Sequence, residues 1–193
     1  MFRNKATDWN LTVTESEDAG AFTIDNLNHY KLIVLLNNSG ELFTDPQRAA
    51  LQNFVRNGGR VLGIHGAADA EYNWAWYPQM LGGWFYTHPE IQDAECYPVV
   101  ADHASTRGLP DRWKRKDEWY NIKSLQTDNV TVLAVDESTY NGGIHGGNHP
   151  ISWHRSFEGG KIFYTAMGHT SESYTEPLFI QHIGGAIEWL KSE

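Results

Sequence analysis

The apolar residues in the first half of the chain fall into short unbroken runs, separated by one amphipathic stretch. Two runs stand out, residues 31–36 and residues 61–64. Unbroken apolar runs of this length are typical of parallel strands that are covered on both faces. Between them, residues 44–57 carry apolar side chains at helical spacing, begin with Thr44 and Gln47 in the positions of a capping box, and end before two glycines. This order of strand, helix and strand predicts a parallel sheet.

The second half of the chain is predicted to contain more strand than helix. Residues 151–154 and 161–166 look like two strands on either side of a Glu-Gly-Gly turn, which indicates an antiparallel pair. Residues 177–191 have the apolar spacing of an amphipathic helix. Further short elements are predicted as strands at 11–14, 84–86, 96–100 and 130–135 and as helix at 22–30 and 72–81. The pattern predicts one α/β domain, residues 1–193, with a mostly parallel sheet and an antiparallel edge or inserted ribbon.

Composition narrows the partners of this domain. The formal net charge is −9 and no stripe of Arg and Lys is present, which argues against nucleic acid as a partner. No apolar run approaches the roughly 20 residues that span a bilayer, which argues against a membrane protein. The N-terminus lacks the apolar region of a signal peptide, so a cytoplasmic location is favoured, and a periplasmic or secreted one would need further N-terminal sequence. The chain has a single cysteine, Cys96, which excludes an internal disulfide. The sequence does not decide whether the protein forms a homo-oligomer.

Several histidines and carboxylates follow predicted strands or lie in the adjoining loops. His65 comes directly after the run 61–64 and is followed by small residues, and His169 comes just after the run 161–166. In α/β sheets, ligands collect outside the carboxyl ends of the strands, so we expect such side chains to meet at one edge of the sheet. The other candidates at such positions are Asp69, His88, Asp117, Glu118, His149 and Glu172.

Two kinds of chemistry suit these residue types. Histidine exchanges protons near neutral pH, and a nearby carboxylate can orient it. Alternatively, His65, His149 and His169, with Glu118 or Asp69, could supply the imidazole and carboxylate ligands of a divalent metal. The chain has no compact metal-binding motif, so the metal stays open, and no Gly-x-Ser-x-Gly elbow, which argues against a serine nucleophile. We expect no organic cofactor. The glycine-rich loop 141–148 is followed by neither a lysine nor a helix, which argues against a phosphate site.

Five segments of the chain together resemble the ThuA-like (trehalose-utilisation) family, whose fold is similar to that of class I glutamine amidotransferases. The resemblance runs from about residue 11 to the end of the chain. The segments are Gly63-Ile64-His65-Gly66-Ala67-Ala68-Asp69, Thr106-Arg107-Gly108-Leu109-Pro110, Asp117-Glu118-Trp119-Tyr120, His149-Pro150-Ile151-Ser152-Trp153 and Tyr164-Thr165-Ala166-Met167-Gly168-His169-Thr170.

The resemblance implies a flavodoxin-like, three-layer α/β sandwich and a role in carbohydrate metabolism. It also implies that His65 occupies the strand-to-helix elbow where amidotransferases carry a nucleophilic cysteine, so glutamine hydrolysis through a thioester is not expected. His169 corresponds to their catalytic histidine, and Glu172 lies near their triad carboxylate. Family members usually begin with one more strand before the segment matching residues 9–15, so the resemblance also implies that the family's first strand is missing.

Three functions follow from these residues. The leading one is an enzyme that acts on a sugar or keto-sugar, in which His65 and His169 exchange protons with the substrate and Glu118 or Glu172 orients them. The second is a non-catalytic carbohydrate-binding or regulatory module, and the third is a metal-dependent hydrolase. The residues expected to contact a small carbohydrate are Asp69, His88, Tyr120, His149 and Trp153.

Overall fold

The structure, a computed structural model, describes residues 1–192. Its α-helices in this range are α1 (Phe2–Lys5), α2 (Ile24–Leu27), α3 (Asp45–Arg56), α4 (Trp76–Leu81) and α5 (Pro177–Lys191). Its strands are β1 (Leu32–Leu36), β2 (Ser39–Gly40), β3 (Arg60–Ile64), β4 (Asp69–Ala70), β5 (Trp84–Thr87), β6 (Gln92–Pro98), β7 (Trp113–Asp117), β8 (Asn121–Lys123), β9 (Val130–Asp136), β10 (His149–Phe157) and β11 (Gly160–Thr165). Among these helices, none is long and apolar enough to cross a membrane.

Seven of the strands form one mixed sheet in the order β1-β3-β11-β10-β9-β6-β7. Strands β1, β3 and β11 are parallel, as the apolar runs of the first half predict. The pairings of β10, β9, β6 and β7 are all antiparallel, which corrects the prediction of a mostly parallel sheet. The cause is local at the junction of the two parts: Glu158 and Gly159, both at positive φ, form a tight turn that reverses the chain between β10 and β11.

Helices cover both faces of the parallel part of the sheet. Successive side chains of a strand point to opposite faces, so Phe163 and Tyr164 of β11 lie on the two faces of the sheet. Tyr164 lies beside Gly63 on the face where a Cβ added to Gly63 would meet Leu81 of α4 at 2.6 Å. On the other face Phe163 packs edge-on against His182 of α5, with the ring centroids 5.7 Å apart. The apolar core therefore extends into both of these helix–sheet layers.

The helix predicted between the first two long strands is confirmed with its capping box. Thr44 accepts from the backbone of Gln47, and the Gln47 side chain accepts from the Thr44 N–H at 2.7 Å. The apolar stripe of α3 is buried as expected, and α5 spans the predicted residues 177–191. The antiparallel pair β10 and β11 is also confirmed.

Two predicted elements differ from the structure in their bounds, and one strand was not predicted. The helix predicted over residues 72–81 forms only from Trp76 onward, and the strand predicted at 96–100 lies at 92–98. Strand β7, residues 113–117, alternates three buried residues, Trp113, Arg115 and Asp117, with two exposed lysines. Because two of the buried residues are charged, the sequence does not show the apolar–polar alternation of a strand. That residues 1–193 form one domain stays a prediction.

The strand predicted at residues 11–14 is wrong: among residues 1–192 this segment forms no strand and pairs with none of the strands. Instead, a cavity of about 970 Å³ separates it from β1. On either side of β1, the Lys31 carbonyl accepts from the Arg60 N–H and the Asn37 N–H donates to the Ile64 carbonyl, both in β3. Main-chain groups alternate in direction along a strand, so those of Leu32, Val34 and Leu36 point away from β3 into the cavity. We call this cavity the β1 groove.

Candidate functional site

Three strands that run in the same direction deliver their following loops to one edge of the sheet. His65 follows β3, and His169 lies four residues beyond β11. Glu118 follows β7, which is separated from β11 by four antiparallel pairings and therefore runs parallel to it. Five strand spacings separate β3 from β7, which amounts to about 24 Å in a flat sheet. The contact of Glu118 with His65 therefore requires the sheet to curl.

The three side chains form one compact group, which we call the histidine–glutamate cluster (His65, Glu118 and His169). Glu118 Oε2 lies 3.2 Å from His65 Nε2 and 3.3 Å from His169 Nδ1. His65 Nε2 and His169 Nδ1 are 3.0 Å apart. The second carboxylate oxygen, Oε1, lies 3.2 Å from His88 Nδ1. All four residues lie just beyond strands of the structure, which brings their side chains together.

The cluster opens to solvent through two of its histidines. The side chains of His169 and His88 are 40% and 43% exposed, whereas those of His65 and Glu118 are 3% and 10% exposed. A ligand that enters the site therefore meets His169 and His88 first, with Glu118 between them.

His65 is held in a single orientation by its backbone and by its ring. Its φ of +47° lies in the left-handed region, which costs a non-glycine residue about 1–2 kcal/mol. The ring Nδ1 lies 2.7 Å from the carbonyl oxygen of Ala166, and a carbonyl only accepts, so Nδ1 carries a proton. Tyr164 donates its hydroxyl to the His65 carbonyl at 2.9 Å. The free ring nitrogen, Nε2, is consequently the one that faces the cluster.

The small residues after His65 serve packing rather than access. Gly66, Ala67 and Ala68 are all buried. A Cβ added to Gly66 would meet the Asn38 carbonyl oxygen at 3.0 Å, so glycine lets the elbow pass close to the neighbouring loop. The space around the cluster lies on the side of His88 and His169 instead.

Asp117 ties two of the three loops together from beneath the site. Its Oδ1 accepts from the N–H groups of Glu118 at 2.9 Å and His169 at 3.1 Å, and its Oδ2 accepts from the N–H of Gly168 at 2.8 Å. The buried guanidinium of Arg115 donates to Asp117 Oδ2 at 2.9 Å. Sequence reasoning missed Arg115; the only signal for it is a charged residue at a buried position of a strand.

The electrostatics of the cluster favour an ionised Glu118. Burial by itself would raise the pKa of Glu118, but the hydrogen bond with His65 and the charges of His169 and His88 outweigh it, and the pKa is lowered from its usual value. Tyr120 shows the opposite effect, because burial and the charges of Glu118 and Asp69 raise its pKa. Its hydroxyl therefore stays protonated and can only donate or accept a hydrogen bond as a neutral group.

Aromatic side chains form one wall of the site. The Tyr120 ring packs on His65 with centroids 3.9 Å apart, and Phe85 packs on Tyr120 at 4.4 Å. Tyr72 donates its hydroxyl to Asp69 and stacks on Trp84, the residue before Phe85 in β5. We call Tyr72, Trp84 and Tyr86 the aromatic shelf; Tyr72 and Tyr86 are 39% and 55% exposed, and Lys123 Nζ lies within 6 Å of all three rings. Of the residues that the sequence offered as substrate contacts, Asp69 is held by Tyr72 and Tyr120 packs on His65.

Three other residues predicted for the site lie away from the cluster. His149 is buried, and its ring nitrogens contact the Tyr140 hydroxyl, Glu137 and the Tyr120 carbonyl, so neither nitrogen is free for a ligand. Trp153 is fully buried and donates its indole N–H to the Leu81 carbonyl at 2.9 Å.

Glu172 lies in an exposed turn of 3-10 helix, where its carboxylate contacts the Ser171 hydroxyl. The carboxylate that touches both histidines is Glu118, so Glu118 takes the orienting position for which the sequence offered either residue. His149 instead hydrogen-bonds the backbone of Tyr120, and Trp153 packs in the core.

The single cysteine is not part of the site. Cys96 is fully buried in β6, and burial raises the pKa of its thiol. A thiol in this state is neither ionised nor accessible, so it cannot attack a substrate. The elbow after β3 carries His65, so it has no sulfur for a thioester.

Comparisons with known proteins place this arrangement in a family. The family model of ThuA, described as trehalose utilisation, matches residues 1–190. A ThuA-like protein from Bacteroides uniformis is 25% identical, with a TM-score of 0.82 over 100% of this chain and 85% of that one. A ThuA-like protein from Parabacteroides merdae is 19% identical, with a TM-score of 0.72 over 93% and 76% of the two chains.

The fold recurs more distantly as a part of larger proteins. A β-galactosidase from Bacillus circulans is 12% identical, with a TM-score of 0.58 over 84% of this chain and 22% of that one, a likeness of fold alone. No curated protein matches the sequence. The family model covers nearly the whole chain, including the segments that carry His65, Glu118 and His169, and the chain therefore belongs to the ThuA, or trehalose utilisation, family.

Proposed function

We propose that the protein is an enzyme that acts on a sugar or keto-sugar at the histidine–glutamate cluster. Membership of the trehalose utilisation family implies a carbohydrate-related role. The observation that carries the enzymatic proposal is the contact of Glu118 with His65, His169 and His88, three imidazoles that come from three separate segments of the chain. A carboxylate that orients histidines beside solvent is the arrangement that proton transfer needs.

The reaction we propose is proton abstraction next to a carbonyl, as in an isomerisation or elimination on a keto-sugar. His169 is the histidine that a substrate can reach, because its side chain is 40% exposed. His65 is buried and has only Nε2 free, so it exchanges protons with the substrate through His169 rather than directly. Glu118 stabilises the positive charge that either ring gains, and the neutral Tyr120 hydroxyl lies beside them.

The aromatic shelf supports a carbohydrate as the substrate. Sugar rings pack their apolar C–H faces on aromatic side chains, and a tyrosine adds a hydroxyl that can form a hydrogen bond. Tyr72 and Tyr86 offer such rings, and Asp69 offers a carboxylate for sugar hydroxyls. Lys123 adds a cationic donor at the same place.

The finer fold assignment is part of this proposal. A histidine at the elbow after β3 and His169 after β11 are consistent with a scaffold like that of class I glutamine amidotransferases from which the nucleophile has been lost. The resemblance also implies one more strand, and the β1 groove is the place in the fold that suits it. A strand in the groove would pair with the main-chain groups of Leu32, Val34 and Leu36.

A turnover assay on a panel of disaccharides and their keto forms tests the proposal. We expect His169→Ala and Glu118→Gln to lower turnover by at least about 100-fold, because each removes a group that takes part in proton transfer. His29→Ala is the matched control, since His29 is exposed and lies beside the β1 groove. The assignment is wrong if His65→Ala and His169→Ala both leave the turnover of a keto-disaccharide unchanged.

A non-catalytic carbohydrate-binding module is the second candidate, and the aromatic shelf favours it independently of the cluster. Calorimetry against the same sugars separates the two. Binding that Tyr86→Ala weakens, without turnover of any sugar, would support the module and overturn the enzyme.

A further inference from the structure

We propose that the histidine–glutamate cluster is a binding site for one divalent transition-metal ion, with His65 Nε2, His169 Nδ1 and Glu118 Oε2 as its three protein ligands. This inference rests on the site proposed above and assigns a ligand to it. Within residues 1–192, these are the side chains whose donor atoms come together in a metal-like group, all within 4.8 Å of one another.

The spacing of the three donor atoms matches that of neighbouring ligands on one ion. Their separations are 3.0, 3.2 and 3.3 Å, which is nearly an equilateral triangle. Metal–ligand bonds near 2.1 Å place adjacent ligands about 3.0 Å apart in an octahedral site and about 3.4 Å apart in a tetrahedral one. An ion just above the triangle would reach all three atoms at a bonding distance.

Hydrogen bonding alone leaves this triangle incomplete. The Nδ1 proton of His65 is used on the Ala166 carbonyl, so Nε2 offers a lone pair to the cluster unless a second proton is added. With one proton on any of the three atoms, that atom can donate to the other two at most, and those two then face each other with lone pairs only. With a proton on both ring nitrogens, the two N–H groups face each other at 3.0 Å and neither has an acceptor between them. A cation in the middle is the arrangement in which all three lone pairs point to a partner.

The surroundings of the cluster are those of an oriented metal site. Metal-bound imidazoles commonly donate their other N–H to a carbonyl, as His65 does to Ala166. His88 Nδ1 lies 3.2 Å from Glu118 Oε1, the oxygen that is not in the triangle, and can hold it there. Asp117 fixes the backbones of Glu118 and His169. The Ala166 carbonyl, His88 and Asp117 thus orient the three proposed ligands.

The ligand set and its exposure identify the class of ion. Two imidazoles and one carboxylate suit zinc and other divalent first-row ions, whereas calcium and magnesium prefer oxygen ligands. Catalytic sites of this kind keep a position open for water or substrate. Here the open side is that of His169 and His88, which are both about two-fifths exposed.

Metal binding would keep the proposed site but change the group that accepts the substrate proton. With the ion bound, His65 and His169 are ligands, and the ion lowers the pKa of a water or hydroxyl that occupies the open position. The proton acceptor in the proposed sugar reaction is then that oxygen, and His88 is the nearest imidazole left to exchange protons with solvent.

Zinc titration of the untagged, chelator-stripped protein tests the inference without any substrate. We expect calorimetry to give one Zn²⁺ per chain, and Co²⁺ in its place to give visible absorption bands of a bound site. Glu118→Gln and His169→Ala should each weaken Zn²⁺ binding by at least about 100-fold, and Asp117→Asn by about 10- to 100-fold, because it loosens two ligands. His29→Ala, which changes an exposed histidine outside the cluster, should bind Zn²⁺ like the wild type.

The outcomes separate this inference from the proposed function. Absence of stoichiometric binding to the wild type, or equal binding by His169→Ala and Glu118→Gln, would overturn the metal site. His169 is exposed, so its alanine variant is expected to fold, and its thermal transition in chelator checks this. Sugar turnover by a wild-type protein that binds no stoichiometric Zn²⁺ would refute the metal and keep the enzyme. Zinc binding without turnover of any sugar would refute the enzyme and keep the metal.

Discussion

Replacing Asp117 with asparagine is the substitution that most directly perturbs the frame of the site. The carboxylate is fully buried and accepts from the N–H groups of Glu118, Gly168 and His169 and from the guanidinium of Arg115. Asparagine keeps the shape but replaces one acceptor oxygen with an NH₂ group that can only donate. That group would face either two backbone donors or the Arg115 guanidinium.

The expected loss of stability is large. Removing one partner of a buried ion pair costs about 3–5 kcal/mol, because the remaining charge is left without compensation. Arg115 keeps a hydrogen bond to the Ser173 hydroxyl at 2.8 Å and a longer contact with Glu176 at 3.4 Å, which places the loss near the lower end of that range. Against a total of about 5–15 kcal/mol for a typical domain, we expect Asp117→Asn to remove a substantial part of the free energy of unfolding.

Urea denaturation at pH 7 measures this loss, with Asp8→Asn as the matched control. Asp8 pairs with Lys5 at 2.8 Å, but the two side chains are 61% and 37% exposed, so the same substitution should cost less than about 1 kcal/mol there. A loss below about 1 kcal/mol for Asp117→Asn, with an unchanged m-value, would refute the idea that Asp117 holds the loops of the site in place.

Three further predictions concern other parts of the molecule. Burial lowers the pKa of His182 from 6.5 to about 4, so the unfolded chain binds a proton that the folded one refuses; urea denaturation should show stability falling as the pH drops from 6.5 to 4, and less steeply in His182→Gln. In hydrogen exchange, the amides of Leu32, Val34 and Leu36, which point into the β1 groove, should exchange faster than their neighbours in β1. The Cys96 thiol should react with a thiol reagent at pH 8 only after denaturation, and labelling of the native protein would contradict its burial.

Much of the fold could be predicted because local pattern and tertiary structure agree there. The capping box of α3 and the apolar runs of β1 and β3 are local signals that the final packing preserves. Residues 11–14 carry an equally clear strand alternation and form no strand, since a ladder needs a neighbour and the neighbouring space is the β1 groove. Strand β7 was missed for the opposite reason: its inward face carries Arg115 and Asp117, whose burial depends on each other.

The sequence offered the members of the histidine–glutamate cluster among a larger set of candidates, but it could not give their geometry. His65 and His169 could be placed at strand ends from sequence, and Glu118 could be placed beside them only as a candidate. The choice of Glu118 over Glu172 depends on the curl of the sheet, which brings β7 around to β3. His149 was misjudged because a histidine after a glycine-rich loop has the same sequence signal whether it faces a ligand or the core.

An anomalous-scattering map from crystals grown with zinc would test the central claim most directly. The claim is that Glu118 and the two histidines His65 and His169 surround one point at the carboxyl edge of the sheet. The account predicts a single strong peak at the zinc edge within bonding distance of His65 Nε2, His169 Nδ1 and Glu118 Oε2. A map with no peak at that point, or with zinc bound only to other histidines, would contradict it.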